Sequence, residues 1–442
     1  MLDILADRTY RHLFLAQVVA LVGTGLATVA LGLLAFSLAG EKAGAVLGTA
    51  LAIKMVAYVG VAPVAAAFAE RLPRRRMLVA LDLIRAGVAL LLPFVTEIWQ
   101  VYVLIFALQS ASAAFTPTFQ ATIPDILPDE KDYTRALSLS RLAYDLESVA
   151  SPMLAAALLT FISFHSLFAG TVVGFLVSAA LVVSVMLPSP TPTKPRGIFD
   201  RTTRGMRLYV ATPRLRALLA INGAVAMAGA LVIVNTVVYV QAVFGLGQQN
   251  TALALAAFGG GSMIAALTLP NLLERLPDRV VMLAGATLLT VGTASAIALN
   301  SYAWLLPLWF VLGLGYSAAQ TPSGRLLRRS ARPEDRPAIF AAQFALSHAC
   351  WLIAYPVAGW AGSTFGLPVT ALILSILAAI AVFVAAVVWP ANDPDEVEHA
   401  HEDLPESHPH LAEGPVADGS RRHVHAFAID DEHRRWPTVE KR

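Results

Sequence analysis

Charge is scarce in this chain and cysteine scarcer: 14% of the 442 residues are Asp, Glu, Lys or Arg, and Cys350 is the single thiol. One cysteine excludes an intrachain disulfide. So little charge beside 57% hydrophobic residues leaves too little polar surface to clothe a water-soluble globule. Three catalytic signatures are absent as well. No Gly-x-x-x-x-Gly-Lys-Ser/Thr loop is present to cradle a nucleotide, and neither His-Glu-x-x-His nor Gly-x-Ser-x-Gly occurs. Direct ATP coupling, zinc-protease and serine-hydrolase chemistry are therefore set aside. The sequence reads as a non-enzyme without a cofactor, and its basic loops lack the folded platform of a nucleic-acid reader.

What the chain has is long apolar runs. They occupy approximately 13–39, 44–69, 77–95, 98–121, 136–161, 166–187, 215–242, 251–272, 280–299, 303–323, 338–363 and 368–389. Each is long enough to cross a hydrocarbon core of about 30 Å as a helix. The connections after even-numbered runs hold Arg71, Arg74, Arg75 and Arg76, then Lys131 and Arg135, then Lys194 to Arg207, then Arg275 and Arg279, then Arg325 to Arg336; the opposite connections hold only Lys42. The positive-inside rule then places both termini in the cytoplasm. Asp3, Asp7, Arg8 and Arg11 precede the first run without a small-residue cleavage site, so the first helix is expected to insert uncleaved into the cell membrane.

The chain also repeats itself. Glu70-Arg71-Leu72-Pro73 returns as Glu274-Arg275-Leu276-Pro277, an offset of 204 (274 − 70), and Pro128-Asp129-Glu130 is echoed by Pro333-Glu334-Asp335, an offset of 205 (333 − 128). Two landmarks at nearly one spacing predict an all-α membrane protein of twelve transmembrane helices in two parallel six-helix halves. The halves are assigned to 1–187 and 215–390, the cytoplasmic linker to 188–214 and a disordered His-rich tail to 391–442. Within the linker, 198–210 is expected to form an amphipathic helix at the interface.

The stretch from Ala66 through Glu70, Arg71, Pro73, Arg74 and Arg75 to Arg76 resembles the signature loop of the major facilitator superfamily. Ala replaces its leading Gly, Glu70 its Asp, and Pro73 its second Gly. Asp82, Arg85 and the opening Arg8-Thr9-Tyr10-Arg11-His12-Leu13-Phe14 are similar to the macrolide-efflux-like branch of its drug:proton antiporters. The resemblance covers 1–390 and implies the twelve-helix major facilitator fold and secondary transport. The residues themselves add that Glu70, Arg71, Arg75, Asp82 and Arg85 are suited to a conformational latch at helix ends.

A layer of ionisable side chains falls near mid-membrane. Lys54 lies in run 2, Arg141, Asp145 and Glu147 in run 5, and His348 in run 11. Arg141 and Asp145 are spaced to pair along one helix face, whereas Glu147 lies about 160° from Asp145 and needs another partner. Lys54 is one. A structural ion-pair role and proton exchange by a carboxylate both remain open for these groups. His348 is suited to titration, metal ligation or a helix-to-helix hydrogen bond, while Cys350, about 200° away on the helix, reads as small packing. Gln17, Gln109, Asn235 and Gln320 are candidate neutral cavity-lining groups.

After the last run the composition turns acidic and His-rich. His399, His401, His408, His410, His423, His425 and His433 are candidate ligands for a divalent first-row metal, although a solubilising tail has the same composition. Twelve spans followed by such a tail also resemble the nickel-resistance exporters of the superfamily. The expected function is a secondary active efflux permease exchanging protons for a solute, with nickel or cobalt narrowly ahead of amphipathic organic compounds such as drugs, macrolides or siderophores. A non-transporting membrane metal sensor is the alternative from another class. The expected partners are that solute, protons, the lipid bilayer and a metal on the tail.

Overall fold

The computed structural model describes residues 2–69, 73–188, 198–331, 336–393, 396–400, 422–427, 429, 433 and 436. The N-terminal half comprises α1 (Arg8–Ala39), α2 (Ala43–Ala69), α3 (Arg74–Leu91), α4 (Ile98–Ile126), α5 (Glu130–Leu158) and α6 (Phe164–Val183). A linker helix, α7 (Ile198–Ala211), leads to the C-terminal half: α8 (Pro213–Val237), α9 (Gln248–Leu273), α10 (Asp278–Ser295), α11 (Tyr302–Gln320), the short α12 (Ser323–Arg329), α13 (Arg336–Phe365) and α14 (Leu367–Val388). Two strands follow, β1 (Glu396–Ala400) and β2 (Arg422–Ala426).

Local chemistry sets several of these boundaries. Pro213 opens α8 and Pro368 lies in the first turn of α14, where the missing proline N–H is not needed. Gly40 and Gly366 take φ of 54° and 82°, the left-handed conformation that ends α1 and α13 without a Cβ penalty. Six helices of each half are 18 residues or longer. Among the described residues, nine stretches are long and apolar enough to cross a membrane, the first taking in α1 and α2 together. The two long helices outside those stretches are α5 and α13, which carry most of the mid-span polar groups. Large apolar side chains face outward on the bundle: Phe161 is 89% exposed, Met186 82% and Phe94 76%, as a lipid-facing surface requires. Trp99 and Trp304, exposed at the starts of α4 and α11, sit 205 residues apart (304 − 99), so the repeat gives each half an outward tryptophan at the start of the same helix, the residue type an aromatic belt uses.

The repeat seen in the sequence governs the packing. In the N-terminal half α1 packs on α5 and α6, α2 on α4, and α3 on α4 and α6; in the C-terminal half α8 packs on α13 and α14, α9 on α11, and α10 on α11 and α14. These are the same pairs, shifted by one half. Between halves, α2 meets α13 and α5 meets α9, so the two seams exchange under a pseudo-twofold axis.

The seams close at the end away from the basic loops. A Cβ on Gly48 would lie 2.5 Å from the Tyr355 carbonyl oxygen, and one on Gly359 would collide with that of Gly44, so α2 and α13 touch backbone to backbone. Trp360 Nε1 donates to Thr49 Oγ1 at 3.0 Å, and Gln249 Nε2 donates to the Leu159 carbonyl at 3.0 Å across the second seam. Gly359→Val must therefore part this end. In a Cys350→Ser background, a Thr49→Cys thiol is expected to react faster with a membrane-impermeant maleimide once Gly359→Val is added; an unchanged rate would show that the seam does not hold the closed state.

Two expectations outside the bundle change. The linker helix does form, but its Tyr209 is fully buried and donates to Gln343 Oε1 on α13, so its apolar side serves the protein as well as the interface. The tail is not uniformly disordered. Alternating residues Glu396-Val397-Glu398-His399 and Arg422-His423-Val424-His425 carry a strand period, and β1 pairs antiparallel with β2. Phe427 and Ile429 are then buried against the bundle at 3% and 4% exposure. Composition averaged over the tail hides these short apolar anchors.

Candidate functional site

At the middle of the first seam, α2 offers Lys54 and Tyr58 one turn apart, and α13 offers Phe344 and His348 one turn apart. The Tyr58 and His348 rings stack across the seam at 5.2 Å with an interplanar angle of 4°. Phe344 lies 4.0 Å from His348 and 5.9 Å from Tyr58, centroid to centroid. Lys54 Nζ stands 5.8 Å from the Tyr58 ring centroid, within cation–π range. The Phe344 carbonyl, 2.6 Å from His348 Nδ1, can only accept, so Nδ1 carries a proton. His348 thus bonds within its own helix and stacks on the other half.

Glu147 lies behind this stack on α5. It interacts electrostatically with Lys54, although the two form no ion pair within 4 Å, so the expected direct contact is replaced by a longer-range one. Its carboxylate and Ser151 press on α1, where a Cβ on Gly25 would collide with both Glu147 Oε1 and Ser151 Oγ. Only glycine allows this approach. Tyr144, one turn before Ser148 on the same helix, sits beside Gln17 and Thr116. Gln17 is buried and accepts from Ser140 Oγ at 3.0 Å. The side chains of Arg141 and Asp145 lie outside the described residues.

Shifting these positions by the repeat offset exposes an asymmetry. Glu147 corresponds to Trp351 (351 − 147 = 204), Ser151 to Tyr355 (355 − 151 = 204) and Gly25 to Gly229 (229 − 25 = 204). The packing is repeated between the halves: a Cβ on Gly229 would collide with the Trp351 ring. The Trp351 and Tyr355 rings lie 5.0 Å apart, tilted by 35°. Lys54 corresponds to Phe258 (258 − 54 = 204) and Ser112 to Tyr316 (316 − 112 = 204), and these two rings meet edge to face at 5.4 Å. The equivalent positions are charged and polar in the N-terminal half and aromatic in the C-terminal half.

Asp82 and Arg85 form a buried node inside the N-terminal half. Arg85 pairs with Asp82, Ser178 Oγ donates to Asp82 Oδ2 at 2.7 Å, and the guanidinium lies 4.0 Å and 4.4 Å from the Phe115 and Phe175 ring centroids. Arg75 donates to the Val183 carbonyl at the end of α6, as suits a cation at a helix C-terminus. These contacts bind α3 to α4 and α6 of the same half, joining neighbouring helices near their ends. Glu70 and Arg71 lie outside the described residues.

The arrangement is duplicated, with one inversion. Arg279 donates to the carbonyls of Ala386 and Trp389 at 3.0 and 3.2 Å, repeating Arg75 at an offset of 204 (279 − 75). Arg74 pairs with Asp125, whereas the position equivalent to Arg74 holds Asp278 (278 − 74 = 204), which pairs with Arg325. The sequence carries this signal in the residue that follows each repeated Leu-Pro, Arg in one copy and Asp in the other.

The neutral candidates divide. Gln109 is buried and lines a crevice with Thr28, Lys54, Ser112 and Phe175. Asn235 is fully buried near the closed end, where its Nδ2 donates to the Ala358 carbonyl at 3.2 Å and packs the seam. Gln320 is half-buried at the last residue of α11, far from the centre. Cys350 is half-buried with Sγ 4.0 Å from the Leu219 carbonyl, in keeping with a packing role. In the tail, His433 is buried with its ring edge-on to Phe427 at 4.7 Å. His401, His408 and His410 lie outside the described residues, as do the side chains of His399, His423 and His425.

Residues 13–267 and 218–426 each match the Major Facilitator Superfamily, and the starts of the two matches are again 205 residues apart (218 − 13). The chain belongs to the major facilitator superfamily. It is 25% identical over 155 residues to a macrolide efflux protein A of Streptococcus pyogenes, a match covering 34% of this chain and 38% of the relative. A second macrolide efflux protein A, from Enterococcus faecalis, is 24% identical over 152 residues, covering 32% and 47%. The matched region thus spans less than half of each curated relative. Among solved structures, a bacterial homologue of the human lysosomal transporter Spinster, inward-facing and unoccupied, has a TM-score of 0.69 at 13% identity over 86% of this chain and 96% of that one. A point mutant of the nucleoside transporter NupG has a TM-score of 0.65 at 14% identity over 86% and 100%. These likenesses establish the superfamily fold. Several membrane-spanning helices on that fold make a multi-pass membrane transporter.

Proposed function

We propose that this transporter is a proton-coupled efflux permease for amphipathic organic compounds, set in the cell membrane with both termini cytoplasmic. The observation that carries the reading is the asymmetry of the two halves: Glu147, Ser151 and Lys54 on one half stand where Trp351, Tyr355 and Phe258 stand on the other. The aromatic set gives an apolar or cationic ring system area and cation–π contact, and the charged set supplies a carboxylate whose proton can be exchanged for solute. The Tyr58–His348 stack lies over that carboxylate's partner Lys54 and joins the two halves. Separating α2 from α13 breaks the stack, so rocking changes what the Lys54 and Glu147 pair faces.

A metal cargo is the second reading, favoured by the His pairs of the tail. Within the bundle, the described residues present no group of three His, Cys, Asp or Glu able to hold a metal ion. Inside-out vesicles loaded with a pH gradient decide between them. Uptake of a macrolide or a planar cationic dye is expected, and Trp351→Ala should raise the half-saturating concentration by about tenfold, the upper end of what one aromatic contact contributes. Uptake of nickel or cobalt without organic uptake would install the metal reading, and uptake of neither would leave the sensor.

A further inference from the structure

On the side away from the basic loops the bundle carries a groove of about 510 Å³ beside the α2–α13 seam. Lys42, Val46 and Thr49 line it at helical spacing on α2 and its entry, Ile98 and Tyr102 line it one turn apart on α4, and Trp360 of α13 closes it. It opens outward, for Trp360 is 59% exposed and Trp99, beside Ile98, 62%. Little polar is left in its depth. Thr49 Oγ1 accepts from Trp360 Nε1 at 3.0 Å and donates to the Ala45 carbonyl at 2.8 Å, so its hydroxyl is already engaged, and Val46 and Ile98 offer only apolar groups.

The repeat shows that the groove belongs to one seam. Lys42 corresponds to Leu246 (246 − 42 = 204), Thr49 to Leu253 (253 − 49 = 204), Tyr102 to Leu306 (306 − 102 = 204) and Trp360 to Ala156 (360 − 156 = 204). The other seam thus has three leucines and an alanine where this one has a cation, a hydroxyl and two rings. A packing need common to both halves does not explain the difference. Lys42 is also the only basic residue in the connections on this side. Of the acids there, Glu97 is engaged in the capping box of α4 and Glu41 is exposed, and neither lines the groove.

A lysine stem lies along apolar surface and carries its ammonium out to headgroup level, the level at which Trp and Tyr anchor. A cation at the mouth and an apolar channel below it match a phosphate joined to an acyl chain, and basic pockets between spans recognise lipid headgroups in this way. We propose that the groove binds one phospholipid of that leaflet, its phosphate on Lys42 and one acyl chain along Val46 and Ile98 against Trp360. Parting α2 from α13 takes the Trp360 wall away. The lipid therefore binds the closed seam better and favours it, by as much as its affinities for the two states differ. The effect is independent of the solute carried.

The test uses the full-length protein, delipidated in a maltoside detergent and irradiated with phosphatidylglycerol that carries a diazirine at the end of one chain. A diacylglycerol with the same chains and the same diazirine is the control without phosphate. Phosphatidylglycerol should label segments 38–49 and 98–102 about fivefold more than diacylglycerol does, which is what one lysine near a headgroup contributes. Lys42→Gln should remove that excess, and Lys42→Arg should keep it. Equal labelling by the two probes, or an undiminished excess in Lys42→Gln, would mean that the groove takes bulk acyl chains only and would overturn the site. Displacement of the probe by a macrolide or planar cationic dye, but not by unlabelled phosphatidylglycerol, would overturn it by giving the groove to a solute. The link to the seam is read in the monodisperse fraction of Gly359→Ala, whose added Cβ already meets the Gly44 carbonyl oxygen at 2.4 Å. Labelling should fall there towards the Lys42→Gln level, and unchanged labelling would overturn the link.

Discussion

Glu147→Gln is expected to reduce pH-gradient-driven efflux to the level of empty vesicles while leaving the protein folded and able to bind its solute. The amide keeps the shape that fits against Gly25 and Ser151 but holds no exchangeable charge, so a transport cycle driven by protons has nothing to carry them. Binding should survive, because the aromatic set of Phe258, Tyr316, Trp351 and Tyr355 is untouched. Counterflow, which exchanges labelled for unlabelled solute without net proton movement, should persist in the same variant. Loss of counterflow together with efflux would mean that Glu147 binds solute or supports the fold.

The largest loss of stability is expected at the other buried acid. Arg85→Ala strands Asp82, which is 0% exposed, and leaves a space between Phe115 and Phe175. Removing one partner of a buried ion pair costs about 3–5 kcal/mol, enough to lower the thermal midpoint in detergent sharply and to cut membrane yield. Adding Asp82→Asn to an Arg85→Met variant removes the stranded charge and fills the gap, so much of the midpoint should return. An Arg85→Ala protein as stable as its parent would show that water or lipid headgroups already serve Asp82.

The sequence makes the architecture legible because a duplication leaves landmarks that need no structure. The repeated Glu-Arg-Leu-Pro sets the offset, and the same offset carries Pro152 in α5 onto Pro356 in α13 (356 − 152 = 204) and Arg75 onto Arg279. The site is legible only in part. Lys54, Glu147 and His348 announce themselves as ionisable groups in apolar runs; the structure sets Lys54 and His348 by the Tyr58 ring on the α2–α13 seam and Glu147 on α5 against Gly25. Their aromatic neighbours give no such signal, since Tyr58, Phe344 and Trp351 look like ordinary membrane residues until the pseudo-twofold axis sets α2 against α13. Asn235 misleads for a related reason: a polar residue in a span looks like a cavity group, but its depth along α8 places it at the closed end. Arg75, Asp82 and Arg85 meet partners within their own half, a direction that loop composition does not encode. In the tail, alternation in two short segments 22 residues apart (422 − 400) is outweighed by the polar composition between them.

Proton release on solute binding tests the central claim most directly. Purified protein in lightly buffered detergent solution is titrated with an exported macrolide or dye while a pH indicator reads the solution. Release in proportion to compound bound is expected from the parent and from Trp351→Ala at correspondingly higher concentrations, and none is expected from Glu147→Gln at saturation. Undiminished release from Glu147→Gln would place the exchanging proton on another group and contradict the assignment.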